Sequence, residues 1–89
     1  ITLTEEIKGL LHKEFLFSFT SQSSRSLALR EGKLVIQDDD GDICSRIDTR
    51  EDLEDAYAEI LQCYHWVKDK FPMDEEGYRR ILQALRNIK

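Results

Sequence analysis

Residues 26–47 read SLALREGKLVIQDDDGDICSRI, a succession of short alternating runs broken by two glycine turns. Leu27 and Leu29 alternate with Ser26, Ala28 and Arg30, Glu31-Gly32 interrupts, and the apolar run Leu34-Val35-Ile36 follows. Alternation with period two marks a strand, and a two-residue turn ending in glycine joins antiparallel neighbours. Glutamate is not the best choice for the first position of such a turn. Asp38-Asp39-Asp40-Gly41 forms a second turn, and Asp42–Ile47 a further strand. Upstream, Phe15, Phe17 and Phe19 alternate with Leu16, Ser18 and Thr20, which predicts a strand whose aromatic face enters the core. Ser21-Gln22-Ser23-Ser24 links it to the next strand as a polar turn. The expectation is an antiparallel meander of three to four strands.

Outside the meander the period changes to that of a helix. Leu3, Ile7, Leu10 and Leu11 share one helical face, and Thr2 and Glu5 have capping-box spacing. After the strands, Thr49 is a good N-cap, with Glu51 and Asp52 in the first turn where the helix dipole favours negative charge. Leu53, Ala56, Tyr57, Ile60, Leu61, Tyr64 and Val67 then form one continuous stripe. Pro72 ends this helix, since the residue before a proline is biased away from helical angles. Asp74 caps a last helix with Tyr78, Ile81, Leu82, Leu85 and Ile88 on its core side. The fold class is therefore α+β: one N-terminal and two C-terminal helices on an antiparallel sheet, order α-β-β-β-β-α-α, in two layers.

Eighty-nine residues make one domain, 1–89, either whole or a fragment of a longer chain. No apolar run approaches the ~20 residues of a membrane helix, and the first residues lack the pattern of a signal peptide. Two cysteines, Cys44 and Cys63, are few for a disulfide-stapled secreted domain, so free thiols and a cytoplasmic location are expected.

The net charge of −5 is unevenly distributed. Residues 1–37 carry five basic and four acidic side chains, a balance of +1. Residues 38–65 carry two basic and ten acidic, a balance of −8, and residues 66–89 carry six basic and four acidic, a balance of +2. Direct nucleic-acid binding and docking on an anionic membrane both need clustered Lys or Arg, and neither is expected here.

The acidic turn invites a calcium reading. An EF-hand loop with Gly41 at its sixth position would begin at Ile36 and end at Ile47, where that motif needs Asp and Glu, so an EF-hand is rejected. A looser cation site using Asp38, Asp39, Asp40 and Asp42 stays open beside a plain solvated turn. On the following helix, Glu51, Glu54, Asp55, Glu59 and Asp69 fall opposite the apolar stripe, and Asp52 flanks it. Trp66 projects with Asp55, Glu59 and Gln62 at i, i+4, i+7 and i+11. Either another layer covers this tryptophan, or it is an exposed aromatic anchor within a carboxylate field, the composition of a binding hot spot. Cys63 and His65 lie two apart on a helix and point away from each other, so neither a zinc site nor a Cys–His nucleophile pair is supported. His12 and Cys44 read as structural or surface residues.

Asp38-Asp39-Asp40-Gly41-Asp42-Ile43 followed by Thr49-Arg50-Glu51-Asp52-Leu53 resembles the acidic loop-and-helix motif of PB1 domains. The resemblance covers about 20 of the 89 residues. It implies carboxylates that dock against a basic cluster on a partner. The chain departs from the motif in its spacing, one residue longer between Gly41 and Leu53, and in the two long helices that follow.

The sequence therefore leads to a non-enzymatic protein–protein interaction module, of an inhibitor, immunity or regulatory kind, with no cofactor. Its expected partner-binding residues are Asp38, Asp39, Asp40, Asp42, Asp52, Asp55, Glu59 and Trp66, directed at a basic protein surface. The alternatives are a divalent-metal or small-ligand domain built on the 38–42 carboxylates, and a structural appendage of a larger protein. Homo-oligomerisation is left open.

Overall fold

The meander is present in the computed structural model, which describes residues 1–19 and 24–89. The elements are α1 (Glu5–Leu10), β1 (Phe15–Phe19), β2 (Ser24–Arg30), β3 (Lys33–Asp38), β4 (Ile43–Ile47), α2 (Arg50–Lys70), a short 3-10 turn (Pro72–Asp74) and α3 (Glu75–Arg86). The strands pair antiparallel in the order β1-β2-β3-β4. The polar turn expected at Ser21-Gln22-Ser23 lies outside the described residues.

Register puts Leu27 opposite Ile36 and Leu29 opposite Leu34, and these side chains face the helices. All three helices cover that one face. Ile7 and Leu11 of the first segment, Leu53, Ala56, Ile60 and Val67 of α2, and Tyr78, Ile81, Leu82 and Leu85 of α3 meet Phe17, Leu27, Leu34, Ile36 and Ile47 in a single cluster. Ile60 is fully buried at its centre, and cutting such a residue back to alanine costs about 2–5 kcal/mol. The other face carries Ser26, Ala28, Val35 and Gln37 in its middle, with Leu16, Ile43 and Arg46 around them.

The Glu31-Gly32 turn has φ of 54° and 76°, the two positive values of a type I′ hairpin, so glutamate does occupy a left-handed position. At α2, Thr49 accepts from Asp52 N while the Asp52 carboxylate accepts from Thr49 N, which completes a reciprocal capping box.

Three sequence expectations are corrected. The N-cap of α1 is Thr4, whose hydroxyl accepts from Ile7 N; the Thr2–Glu5 pair does not start the helix. Asp74 sits at the cap position of α3 but makes no side-chain cap bond, because the preceding 3-10 turn already holds it at helical angles. Phe19 leaves the core. The β1–β2 register shifts between Leu16 and Ser18, so Phe17 is the extra residue of a bulge, and the aromatic alternation does not run unbroken. Phe17 is buried, Phe15 packs against the core, and Phe19 is 36% exposed. Across the layers, the Tyr78 hydroxyl donates to the Phe17 carbonyl at 2.6 Å, so a helix side chain supplies the partner for the carbonyl of the bulged residue.

Candidate functional site

An antiparallel meander brings alternate strand ends together. Phe19, Ser24, Asp38 and Ile43 all fall at one end of the sheet, and one flank of α2 runs beside it. The carboxylates and the tryptophan expected to bind a partner fall into three groups: the bend at this end, α2 from its first turn, which follows the opposite end of β4, to Glu59, and the aromatic residues near the end of α2.

The first group is the bend between β3 and β4. Asp38 N donates to Asp42 O at 2.9 Å and Gly41 N to Asp38 O at 3.1 Å, with Gly41 at a φ of 86°. Asp38 Oδ1 also accepts from Asp40 N and Asp42 N, so an aspartate at the turn's first position organises the backbone behind it. The acids are thus selected by turn chemistry as well as by charge. Asp38, Asp40 and Asp42 bring carboxylate oxygens within 4.8 Å of one another, while Asp39 is exposed at the tip. Arg30 reaches over and donates to the Gly41 carbonyl at 2.6 Å.

The second group lies on α2. Arg25 stands opposite Asp38 in the β2–β3 register and forms an ion pair with Glu59 at 3.3 Å. Glu59 is therefore turned toward the sheet, where the helical wheel had placed it toward solvent. Asp52 and Asp55 line a small cleft with Arg25, Ser45, Arg46 and Glu59. Asp52 is spent on the cap: hydrogen bonds from Thr49 N and Asp48 N, then from the Thr49 hydroxyl, hold its carboxyl below the usual aspartate range. Asp55 stays exposed.

The third group is aromatic. Trp66 is 49% exposed, and no second layer covers it among the described residues. It packs edge-on against Phe19 with ring centroids 6.3 Å apart, and Phe71 joins both at 5.9–6.0 Å. Lys70 places its ammonium 5.6 Å from the Trp66 ring, and Met73, two residues after Phe71, is 95% exposed. Between β1 and α2 the cluster borders a groove of about 250 Å³ lined by Phe17, Ser18, Phe19, Gln62, Cys63, Trp66 and Val67.

The three groups do not share one cavity. Arg25 separates the bend from the α2 carboxylates, and Trp66 lies two helical turns beyond Glu59. Sequence reasoning missed Arg25, Phe19 and Phe71. Arg25 was within reach, since period two puts it on the same sheet face as Leu27. The exposure of Phe19 was not, because it follows from the bulge.

Both cysteines are free, Cys44 exposed and Cys63 partly buried. Burial pushes the Cys63 thiol up, the opposite of an activated nucleophile. No helix is long and apolar enough to cross a membrane among the described residues. No family model, curated protein or solved structure matches the chain.

Proposed function

We propose that the domain is a protein–protein interaction module that offers an acidic sheet end, with an aromatic anchor beside it, to a basic partner. One observation carries this reading. Of the ten carboxylates between residues 38 and 65, Glu59 alone enters an ion pair among the described residues. Unpaired acids concentrated in a short segment leave a field that speeds encounter with a cationic surface. Arg50, one of the two basic residues in the segment, is turned away to donate to the Ile88 carbonyl at 3.0 Å.

Trp66, Phe19 and Phe71 add the desolvation that charge alone lacks. Aromatic rings in contact at an accessible site are the residues on which binding energy concentrates, while rim charges act mainly on the association rate. The functional carboxylates are narrowed to Asp39, Asp40, Asp42 and Asp55, since Asp38 holds the turn, Asp52 serves the cap and Glu59 serves Arg25. An exposed free thiol at Cys44 accords with a reducing compartment, so we place the domain in the cytoplasm.

The test is capture of basic proteins from a cell extract on immobilised wild-type domain and on the D39N/D40N/D42N and W66A variants, at 50 and 500 mM salt. A partner retained by wild type at low salt, and lost with the triple variant or at high salt, supports the reading. Retention indifferent to both salt and the triple variant overturns it.

A further inference from the structure

We propose that the sheet face turned away from the helices is a dimer interface, on which a second copy of this chain sits face to face across a two-fold axis. An antiparallel strand with one solvated face alternates apolar inward with polar outward, whereas a strand covered on both faces reads as a continuous apolar run. β3 carries such a run, Leu34-Val35-Ile36, and the helices cover only the side of Leu34 and Ile36. Val35 points the other way, with Ala28 of β2 opposite it in register. No element covers this second face among the described residues. Neighbouring side chains already shield Val35 and Ala28, and the apolar surface left for a partner is Leu16, 47% exposed, and Ile43, 37% exposed. Both edge strands, β1 and β4, carry a register shift of the bulge type, which discourages edge-to-edge pairing, so the face and not the rim is the surface left open.

Charge selects the occupant. Glu14, Asp38, Asp39 and Asp40 line a hollow of about 450 Å³ at the bend. Arg30, Lys33 and Arg46 line a second hollow, of about 320 Å³. Lys33 opens β3 and Asp38 closes it, about 17 Å apart at the rise of a strand. None of the three cations enters an ion pair among the described residues. Arg30 spends an N–H on the Gly41 carbonyl, so Lys33 and Arg46 are the free charges. A two-fold axis running across the strands, between two facing sheets, exchanges their ends. The bend of each copy then meets Lys33 and Arg46 of the other, and the contact is made twice. A face of one sign repels its own copy, whereas a face with opposite signs at its two ends is complementary to itself. Sheets stacked in this way lie about 10 Å apart, a gap that opposed long charged side chains bridge. The dimer rests on the docking reading for the free carboxylates of the bend, and names a second copy of the chain as a cationic surface they meet. Trp66 and Asp55, on α2, stay outside the interface.

The experiment is sedimentation equilibrium of the whole 89-residue chain, from 10 μM to 1 mM and at 50 and 300 mM salt, on wild type, K33E/R46E, D39K/D40K and an equimolar mixture of the two variants. All four substituted residues are exposed, so the fold tolerates the changes. The expected result is a monomer–dimer equilibrium at 50 mM salt, at least fivefold weaker at 300 mM and at least tenfold weaker in either variant alone. The mixture returns to within threefold of wild type, because a face acidic at both ends meets one basic at both ends. W66A dimerises as wild type. The dimer is overturned by any of four results: wild type monomeric at 1 mM and 50 mM salt, either variant dimerising as wild type, a mixture that stays monomeric, or loss of the dimer in W66A. Capture of basic proteins from extract separates this proposal from the docking reading, since K33E/R46E keeps every carboxylate of the bend and captures as wild type. A monomeric wild type with capture intact ends the dimer alone. A dimer rescued in the mixture, with capture indifferent to D39N/D40N/D42N, ends the docking of other proteins alone.

Discussion

Replacing Tyr78 by phenylalanine removes one oxygen and tests how the sheet and helices are joined. Tyr78 is 2% exposed, and its ring meets Phe15 edge-on with centroids 5.0 Å apart, so the phenylalanine keeps the packing. What is lost is the 2.6 Å bond to the Phe17 carbonyl. A net hydrogen bond contributes about 0.5–1.5 kcal/mol, and an abandoned buried carbonyl costs about 1–3 kcal/mol. The expected loss is therefore about 2 kcal/mol. For a domain of 60–100 residues each kcal/mol moves Tm by roughly 4–8 °C, so the variant should melt about 8–16 °C lower. The same hydroxyl gives a signature in pH. Burial pushes the Tyr78 pKa from 10.0 up to about 12. A group whose folded pKa is raised contributes stability that is complete below its unfolded value and disappears as pH rises through the folded one. Tyr78 should thus make wild-type stability decline from pH 10 to pH 12, and that component should vanish in Y78F. Urea unfolding followed by circular dichroism at pH 7, 10 and 11 measures both effects. A variant within about 0.5 kcal/mol of wild type, or one with an unchanged alkaline slope, would refute the role given to this bond.

Other perturbations follow from particular residues. Glu31→Asn relieves a left-handed backbone position at a type I′ turn and should raise stability by about 0.5–1 kcal/mol in the same urea assay. Thr49→Ala removes the hydroxyl half of the α2 capping box and should cost about 1 kcal/mol. The carboxylate half carries the pH dependence: Asp52 has a lowered pKa, so its contribution is present above the unfolded aspartate value of about 3.9 and fades as pH falls below it. Asp52→Asn should flatten this acid limb, which an acid titration of far-ultraviolet dichroism reads. Trp66, the only tryptophan, should emit at long wavelength and be readily quenched by acrylamide in the native state; a blue, protected emission would contradict its exposure.

Periodicity carried most of the fold. The switch from period 3.6 to 2 at Phe15 and back at Thr49 located every long element, because burial of one face leaves its rhythm in the chain. The errors fall where local geometry overrides rhythm. Thr4 displaced Thr2 as a cap because both fit, and only the backbone angles choose between them. The bulge at Phe17 has no signal in FLFSF, since it is fixed by partners in β2 and α3 that are distant in sequence. The site was half legible for the same reason. Composition revealed the acids, and helical spacing revealed Trp66. Which acids are free depended on tertiary partners: Arg25 claimed Glu59, and the cap claimed Asp52.

Free carboxylates at the β3–β4 bend should attract a cationic partner toward the tryptophan near the end of α2. Stopped-flow mixing of the domain with the partner retained at low salt, read through Trp66 emission, measures that attraction. The association rate should fall at least tenfold between 50 and 500 mM salt and at least fivefold in D39N/D40N/D42N, with dissociation little changed. A rate constant insensitive to both ionic strength and the three substitutions would contradict the claim.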